Sequence, residues 1–324
     1  MKVAIFTGGD SSEYVISMKS AKQVLKWLEA AGHKCYPVEV KGSEWKVHVD
    51  KDKVTLDKNS FGFKHKDLDI TFDYVWNTIH GTPGEDGKLQ GFFDMAGIPY
   101  SSSNHQSSAL TFNKYTCKSF LKEHQVLTPE ASLVRKHMET DLEDVAEKVG
   151  FPCFVKPNSG GSSFGIAKVV RMEELQPALD KALKEDKEAI VERYIKGTEV
   201  TCGLMKIGGE FTVFPITEII PKNEFFDYEA KYMRGKAEEI TPANISDELT
   251  RHCQALAREV YELCDCSGLI RVDFIIKGNQ VYFLELNSIP GMSRESIIPK
   301  QVASMGMNME DVLQQIIEDS ISRS

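Results

Sequence analysis

The stretch Asp273-Phe-Ile-Ile-Lys-Gly-Asn-Gln-Val-Tyr-Phe-Leu-Glu285-Leu-Asn287-Ser-Ile-Pro-Gly291 reads as two apolar strands around a glycine turn, with acids set into an otherwise buried hairpin. Strand side chains alternate faces, so Arg271 and Asp273 share one face while Val272, Phe274 and Ile276 take the other. Glu285 and Asn287 likewise share a face, opposite Leu284 and Leu286. If the turn is the three residues Gly278, Asn279 and Gln280, Asp273 lies across from Glu285 and Arg271 from Asn287, with Phe274 against Leu284 and Val272 against Leu286 behind them. A slip of one residue would set Val272 against Glu285 and spoil both faces. Two carboxylates and an amide oxygen on one face are ligands that Mg²⁺ prefers when it also holds substrate phosphates. They equally suit the solvated face of an antiparallel sheet, so the rest of the chain has to decide.

Residues 2–7 form an apolar strand, Gly8-Gly9 a turn, and Asp10 with Glu13 three residues later a helix start of capping-box type. Ala21, Val24, Leu25 and Leu28 have helical spacing, and a strand over 34–40 completes a βαβ unit. Alternation over 45–56 reads as an inserted hairpin, 74–77 as a third buried strand, 89–95 as a helix and 98–100 as a short strand. Together these make a parallel α/β domain over residues 1–100. The Ser- and Asn-rich residues 101–108 mark a boundary. Helices are expected at 114–124, 142–149 and 173–184, with strands at 153–157, 166–170 and 189–193. Beyond 194 the pattern predicts strands at 200–207, 211–217, 270–276 and 281–286, and helices near 248–265 and 308–322.

With 324 residues, 41% hydrophobic and 27% charged, the chain can bury cores for two or three domains. A net charge of −9 without a Lys/Arg-rich block argues against nucleic acid or an anionic membrane as the main partner. No stretch approaches the roughly 18 apolar residues of a membrane span, and the first apolar run is too short for a secretory signal. A cytoplasmic protein is expected. Seven scattered cysteines fit a reducing compartment, and Cys253, Cys264 and Cys266 lack the second close pair or spaced His of a metal site.

Three loops carry chemistry. Lys156-Pro-Asn-Ser-Gly-Gly-Ser-Ser-Phe-Gly165 joins two apolar strands, and its glycines let backbone N–H groups approach an anion. It is not a Walker A loop, and a long hairpin turn is the alternative. His80-Gly-Thr-Pro-Gly-Glu-Asp-Gly87 follows the third strand, where α/β folds place their ligand crevices; its acids are either turn-formers or substrate contacts. Phe225-Phe-Asp-Tyr-Glu-Ala-Lys-Tyr232 crowds aromatics and charges without clean periodicity and is expected to fold over something, an amphipathic surface helix being the other reading.

In chain order, eight blocks resemble the ATP-grasp superfamily and, within it, the D-alanine–D-alanine ligases. They are Gly8-Gly9-Asp-Ser-Ser-Glu13 with Ser17, His80-Gly-x-x-Gly-Glu-Asp-Gly, Lys114, Val155-Lys-Pro with Gly161-Ser-Ser-x-Gly165, Val191-Glu192, Asp227-Tyr-Glu-Ala-Lys-Tyr232, Arg271-x-Asp273, and Glu285-Leu-Asn287-x-x-Pro-Gly291-Met292. The resemblance covers nearly the whole chain. It implies α/β and α+β architecture: an N-terminal parallel α/β (pre-ATP-grasp) domain over 1–100, then a two-lobed ATP-grasp fold with lobes over 101–193 and 194–324. ATP would lie between two small antiparallel sheets. Lys114 and Lys156 would contact its phosphates under the glycine loop with Ser163. Glu192 and the backbone at Tyr194 and Ile195 would meet the adenine, Glu199 the ribose, and Lys231 the γ-phosphate. Asp273, Glu285 and Asn287 would hold two Mg²⁺, with Mn²⁺ able to substitute.

The implied reaction joins two D-alanines for peptidoglycan precursor synthesis through a D-alanyl phosphate, which a closing lid must shield from water. Tyr232, Ser162 and Glu13 would form a hydrogen-bonded latch across three segments. Glu13 would pair with the first ammonium and His80 would lie near its carboxylate. Arg271 and the Gly291 N–H would stabilise the oxyanion. Ser296 and Ile297 would meet the second substrate's carboxylate. Asn113, Gly160, Phe226 and Arg294 depart from the common pattern without removing a proposed ligand. The family further implies a homodimer. Ligases making D-alanyl-D-lactate or D-alanyl-D-serine share the ATP machinery, but Glu-Ala-Lys-Tyr232 resembles the dipeptide-forming group. A non-catalytic nucleotide-binding protein would have been expected to lose Arg271 or a metal ligand, and a dinucleotide-dependent oxidoreductase needs G-x-G-x-x-G, absent after Gly8-Gly9.

Overall fold

A computed structural model describes residues 1–162, 164–221 and 237–323 of the chain. The strand β1 (Lys2–Gly8) has no polar alternation because both its faces are covered. Ala4 and Phe6 enter one core with Val38, Val75 and Phe93, while Val3 and Ile5 enter another with Val24 and Leu28 of the helix Tyr14–Ala30. Around β1 lie β2 (Lys34–Lys41), β3 (Glu44–Val49), β4 (Asp52–Thr55) and, after the separate hairpin β5 (Gly62–His65) and β6 (Leu68–Thr71), β7 (Tyr74–Asn77). The sheet order is β4-β3-β2-β1-β7, with β1 parallel to both β2 and β7. The expected inserted hairpin continues this sheet antiparallel from β2.

A second sheet is wholly antiparallel: β8 (Ala131–Arg135), β9 (Cys153–Pro157), β10 (Ala167–Val169) and β11 (Glu188–Arg193), in the order β10-β9-β11-β8. The helices Leu142–Val149 and Leu175–Glu185 cover one of its faces with Val145, Val149, Leu175 and Leu179. The third sheet comprises β12 (Thr198–Ile207), β13 (Glu210–Val213), β14 (Thr217–Pro221), β15 (Ala237–Ile240), β16 (Leu269–Lys277) and β17 (Gln280–Asn287). Its order is β15-β14-β12-β16-β17, with β13 also on β12. Val200, Val272, Phe274 and Phe283 pack beneath it with the helices Asp247–Leu263 and Lys114–Glu123. Cys253, Cys264 and Cys266 belong to this core.

The core around Val3 and Ile5 also contains Met205, Leu269, Val312 and Ile316, so the first and third sheets share buried residues. Each such side chain contributes about 1.5–3 kcal/mol on burial. That shared core fixes the loop after β1 against the strands that carry the acids.

Several local expectations change. The strand expected over 211–217 is two, β13 and β14, with Phe214 and Ile216 buried between them. No capping box forms at Asp10: the helix starts at Tyr14, Glu13 occupies the cap position without a side-chain cap bond, and Asp10 accepts from the Gly42 N–H at 2.7 Å. The Glu13 carboxylate is used elsewhere. The helix Ile297–Ser304, β15 and the β5–β6 hairpin were not expected.

Candidate active site

β16 and β17 leave their turn as a tight pair, Lys277 against Gln280, so the connection is the two residues Gly278 and Asn279 and not three. The register then shifts: Phe274 faces Phe283, Asp273 faces Glu285, and Leu284 is the extra residue of a β-bulge. The bulge restores the pairing that the longer turn was expected to give. It also turns Leu284 over. Expected in the core opposite Phe274, Leu284 lines a cleft beside Glu285, and Phe283 takes the core position.

The Asp273 carboxylate is buried and accepts four hydrogen bonds. Thr201 Oγ1 donates at 2.5 Å, Arg271 Nε and Nη2 at 2.8 Å each, and Asn287 Nδ2 at 3.2 Å. The Asn287 side chain also lines the second cavity described below. Glu285 lies 3.5 Å from the Lys114 ammonium.

Between the second and third sheets is a cavity of about 350 Å³. Phe154 on one side and Ile219, Ile275 and Leu284 on the other make a flat apolar slot suited to an aromatic base. Glu192, Tyr194, Ile195 and Glu199 border it, and Lys156 stands at its edge. The Glu192 carboxylate is 2% exposed and is ion-paired with both Lys156 and Lys118. Stripping one partner from such a buried charge typically costs about 3–5 kcal/mol, so the triad acts as a unit.

Lys114 opens the helix Lys114–Glu123, whose Asn113 cap accepts from Thr116 N at 2.9 Å. Its ammonium donates to the Gly160 carbonyl, which ties the glycine loop to this helix. At the other end of the loop, Ser162 donates from Oγ to Glu13 Oε1. A Cβ on Gly161 would stand 2.7 Å from that carboxylate oxygen, so a larger residue there would displace the Glu13 carboxylate.

Beneath the loop is a second cavity of about 440 Å³, which Glu13, His80, Arg271, Gly291, Ser296 and Ile297 help to line. His80 is buried; its Nε2 lies 3.2 Å from Ser20 Oγ, which also accepts from Met292 N at 3.3 Å. Burial, then the Arg271 charge, hold the imidazole down at about 4, so it is neutral near pH 7. Ser296 Oγ lies 2.8 Å from Ser293 Oγ and accepts from Ser293 N at 3.0 Å, which shapes the turn after Gly291.

The two cavities share Glu199, Ile219, Asp273 and Glu285. The acids therefore stand where the contents of one meet the contents of the other. Ser163, Lys231 and Tyr232, with the rest of the aromatic segment, lie outside the described residues.

Two residues had been given no role. Glu85, left between turn-former and substrate contact, lines the second cavity and accepts from Gly81 N at 2.7 Å. Burial, then the Glu13 charge, push its carboxyl up to about 8. Lys118 sits four residues after Lys114, a spacing that puts both on one helix face and could have revealed it.

Two antiparallel sheets gripping a cleft of lysines and carboxylates, joined to an α/β unit that closes a second cavity, define an ATP-grasp ligase. Residues 2–103 match the family described as D-ala D-ala ligase N-terminus, and residues 121–318 the D-ala D-ala ligase C-terminus. The chain is 46% identical over 319 residues to a D-alanine–D-alanine ligase of Bacteroides fragilis, covering 98% of each. Among solved structures, the VanG D-Ala:D-Ser ligase from Enterococcus faecalis superposes with a TM-score of 0.86 at 30% identity, covering 98% of each chain. The D-alanine–D-alanine ligase from Bacillus anthracis complexed with ATP does so with a TM-score of 0.79 at 28% identity, covering 99% of this chain and 98% of that one. The chain belongs to the D-alanine–D-alanine ligase family, and its reaction is the ATP-dependent joining of two D-alanines.

Proposed function

We propose that the ligase works through a D-alanyl phosphate formed at the junction of the two cavities. The observation that carries this reading is that Asp273 and Glu285 border both. ATP binds with its base in the apolar slot of the first cavity, near Glu192, Tyr194 and Ile195, and its ribose toward Glu199. Its phosphates point to Lys114 and Lys156. The first D-alanine lies in the second cavity, its ammonium on Glu13 and its carboxylate near neutral His80. That carboxylate attacks the γ-phosphorus, and ADP leaves. The second D-alanine, its carboxylate held at Ser296 and Ile297, attacks the acyl carbon through its amine, and phosphate leaves. Arg271 and the Gly291 N–H receive the oxyanion charge.

The donor set fits Mg²⁺: two carboxylates facing one another and an amide oxygen, with cations already beside both acids. No cluster of three or more His, Cys, Asp and Glu side chains that could hold a metal occurs among the described residues, so phosphate oxygens would complete the coordination. We assign two ions to Asp273, Glu285 and Asn287; they would neutralise phosphate oxygens when bound. The Ser162–Glu13 contact is one half of the lid latch, and Tyr232 is assigned the other half, Lys231 the γ-phosphate, and Ser163 the loop above it.

No helix among the described residues is long and apolar enough to cross a membrane. A cytoplasmic homodimer, with units over 1–100, 101–193 and 194–324, accords with the family. Isotope exchange between the β,γ-bridging and non-bridging oxygens of ATP tests the intermediate. Exchange should require D-alanine and Mg²⁺, and turnover without any exchange would sink the acyl phosphate. Phosphate release with D-alanine alone should exceed that with added D-lactate or D-serine as the second substrate.

A further inference from the structure

Lys118 has no part in the reaction above, yet it is among the most deeply placed charges in the molecule. Its side chain is 4% exposed, on the cleft side of the helix Lys114–Glu123. Its ammonium pairs with one oxygen of Glu192, and Lys156 pairs with the other. The two lysines differ in access: Lys156 borders the nucleotide cavity, whereas Lys118 lies behind Glu192 and borders neither cavity. Burial, then the like charge of Lys156, weigh against the ammonium form of Lys118. Replacing the whole buried triad by apolar side chains of similar volume would usually be at least as stable, so stability alone does not account for charges at such a place.

The need for it appears when the nucleotide arrives. A phosphate at Lys156 competes with Glu192 for the same ammonium. With Lys156 as the sole counter-ion, nucleotide binding would leave a buried carboxylate less fully compensated. We propose that Lys118 is a positioning residue for nucleotide recognition: it stays on Glu192, holds that carboxylate as an acceptor for the adenine amino group, and so frees Lys156 for the phosphates. The inference rests on Glu192 as the adenine contact. Its consequence is selectivity for a 6-amino over a 6-oxo purine, because a fixed carboxylate accepts from the first and repels the second.

Steady-state phosphate release by the full chain with Mg²⁺, using ATP and ITP, tests this. Lys118→Met should raise the KM for ATP and reduce the ATP-over-ITP preference in kcat/KM by about tenfold or more, and Lys118→Arg should restore most of it. Equal losses on both nucleotides, or an unchanged preference, would overturn the proposal. Glu192→Gln separates the two layers: if it leaves the preference intact, the adenine contact itself is wrong. If it abolishes the preference while Lys118→Met retains it, the role of Lys118 alone fails. Should Lys118→Met not fold, the Lys118→Met/Glu192→Gln double variant removes both charges. It should show the preference of Glu192→Gln alone, and any further drop would refute action through Glu192.

Discussion

Asp273 stands directly across the sheet from Glu285, although a two-residue turn at Gly278 and Asn279 would by itself set Glu285 against Val272. The extra residue, Leu284, makes the difference. Deleting Leu284 should let the tight register run through the hairpin with Glu285 still across from Asp273, so the acids stay paired while the first cavity loses the Leu284 side chain from its apolar wall. The KM for ATP should rise by about tenfold, an effect of about 1.4 kcal/mol, with kcat for phosphate release changed far less. A loss in kcat of about 10²-fold would mean that the bulge itself, and not the pairing alone, places this acid.

Arg271 grips both oxygens of Asp273 while bordering the second cavity. Arg271→Ala should lower kcat by about 10²–10³, the usual loss for one oxyanion donor. Arg271→Lys should rescue little, since an ammonium cannot make the two-pronged contact. Rapid-quench measurement of dipeptide formation checks both.

Gly161 presses its bare backbone against the Glu13 carboxylate. Gly161→Ala should push Glu13 off its Ser162 contact and raise the KM for D-alanine by about tenfold, an effect of about 1.4 kcal/mol. The KM for ATP should change far less. Initial-rate kinetics varying each substrate in turn distinguish this from a general loosening of the loop, which would weaken both.

His80 and Glu85 bend the stability of the fold in opposite directions. With its pKa held at about 4, His80 stays neutral while the unfolded chain, near 6.5, takes up a proton, so stability drains as pH falls through that window. His80→Asn should remove a decline on the order of 3 kcal/mol by the acid end. Glu85, raised to about 8, holds a proton that the unfolded chain releases, so its contribution is lost as pH rises from about 4.5 to 8. Glu85→Gln should flatten that alkaline slope. Urea unfolding midpoints across pH 4–9 read both effects.

Much of the site could be read without coordinates. The acids at 273 and 285, the glycine loop and the His80 loop each announced themselves as polar or bare residues in apolar surroundings. Lys118 did not, because a lysine in an amphipathic helix looks like an ordinary surface residue until its burial is known, and Glu85 stayed between turn-former and substrate contact for the same reason. The capping box at Asp10 and Glu13 failed for a related reason: local chemistry favoured the cap, but the glycine loop, distant in sequence, claims Glu13.

Periodicity and ordered motifs are local properties of the chain, and they carried most of the strands and helices, the candidate ligand loops and the family. Tertiary structure decided the register of the β16–β17 hairpin, the fate of Leu284, the buried triad of Lys118, Glu192 and Lys156, and the meeting of two cavities at Asp273 and Glu285. Those depend on how a bulge, a shared core and three sheets place distant residues, and the energies that choose among such arrangements come from packing and burial, which no local pattern encodes.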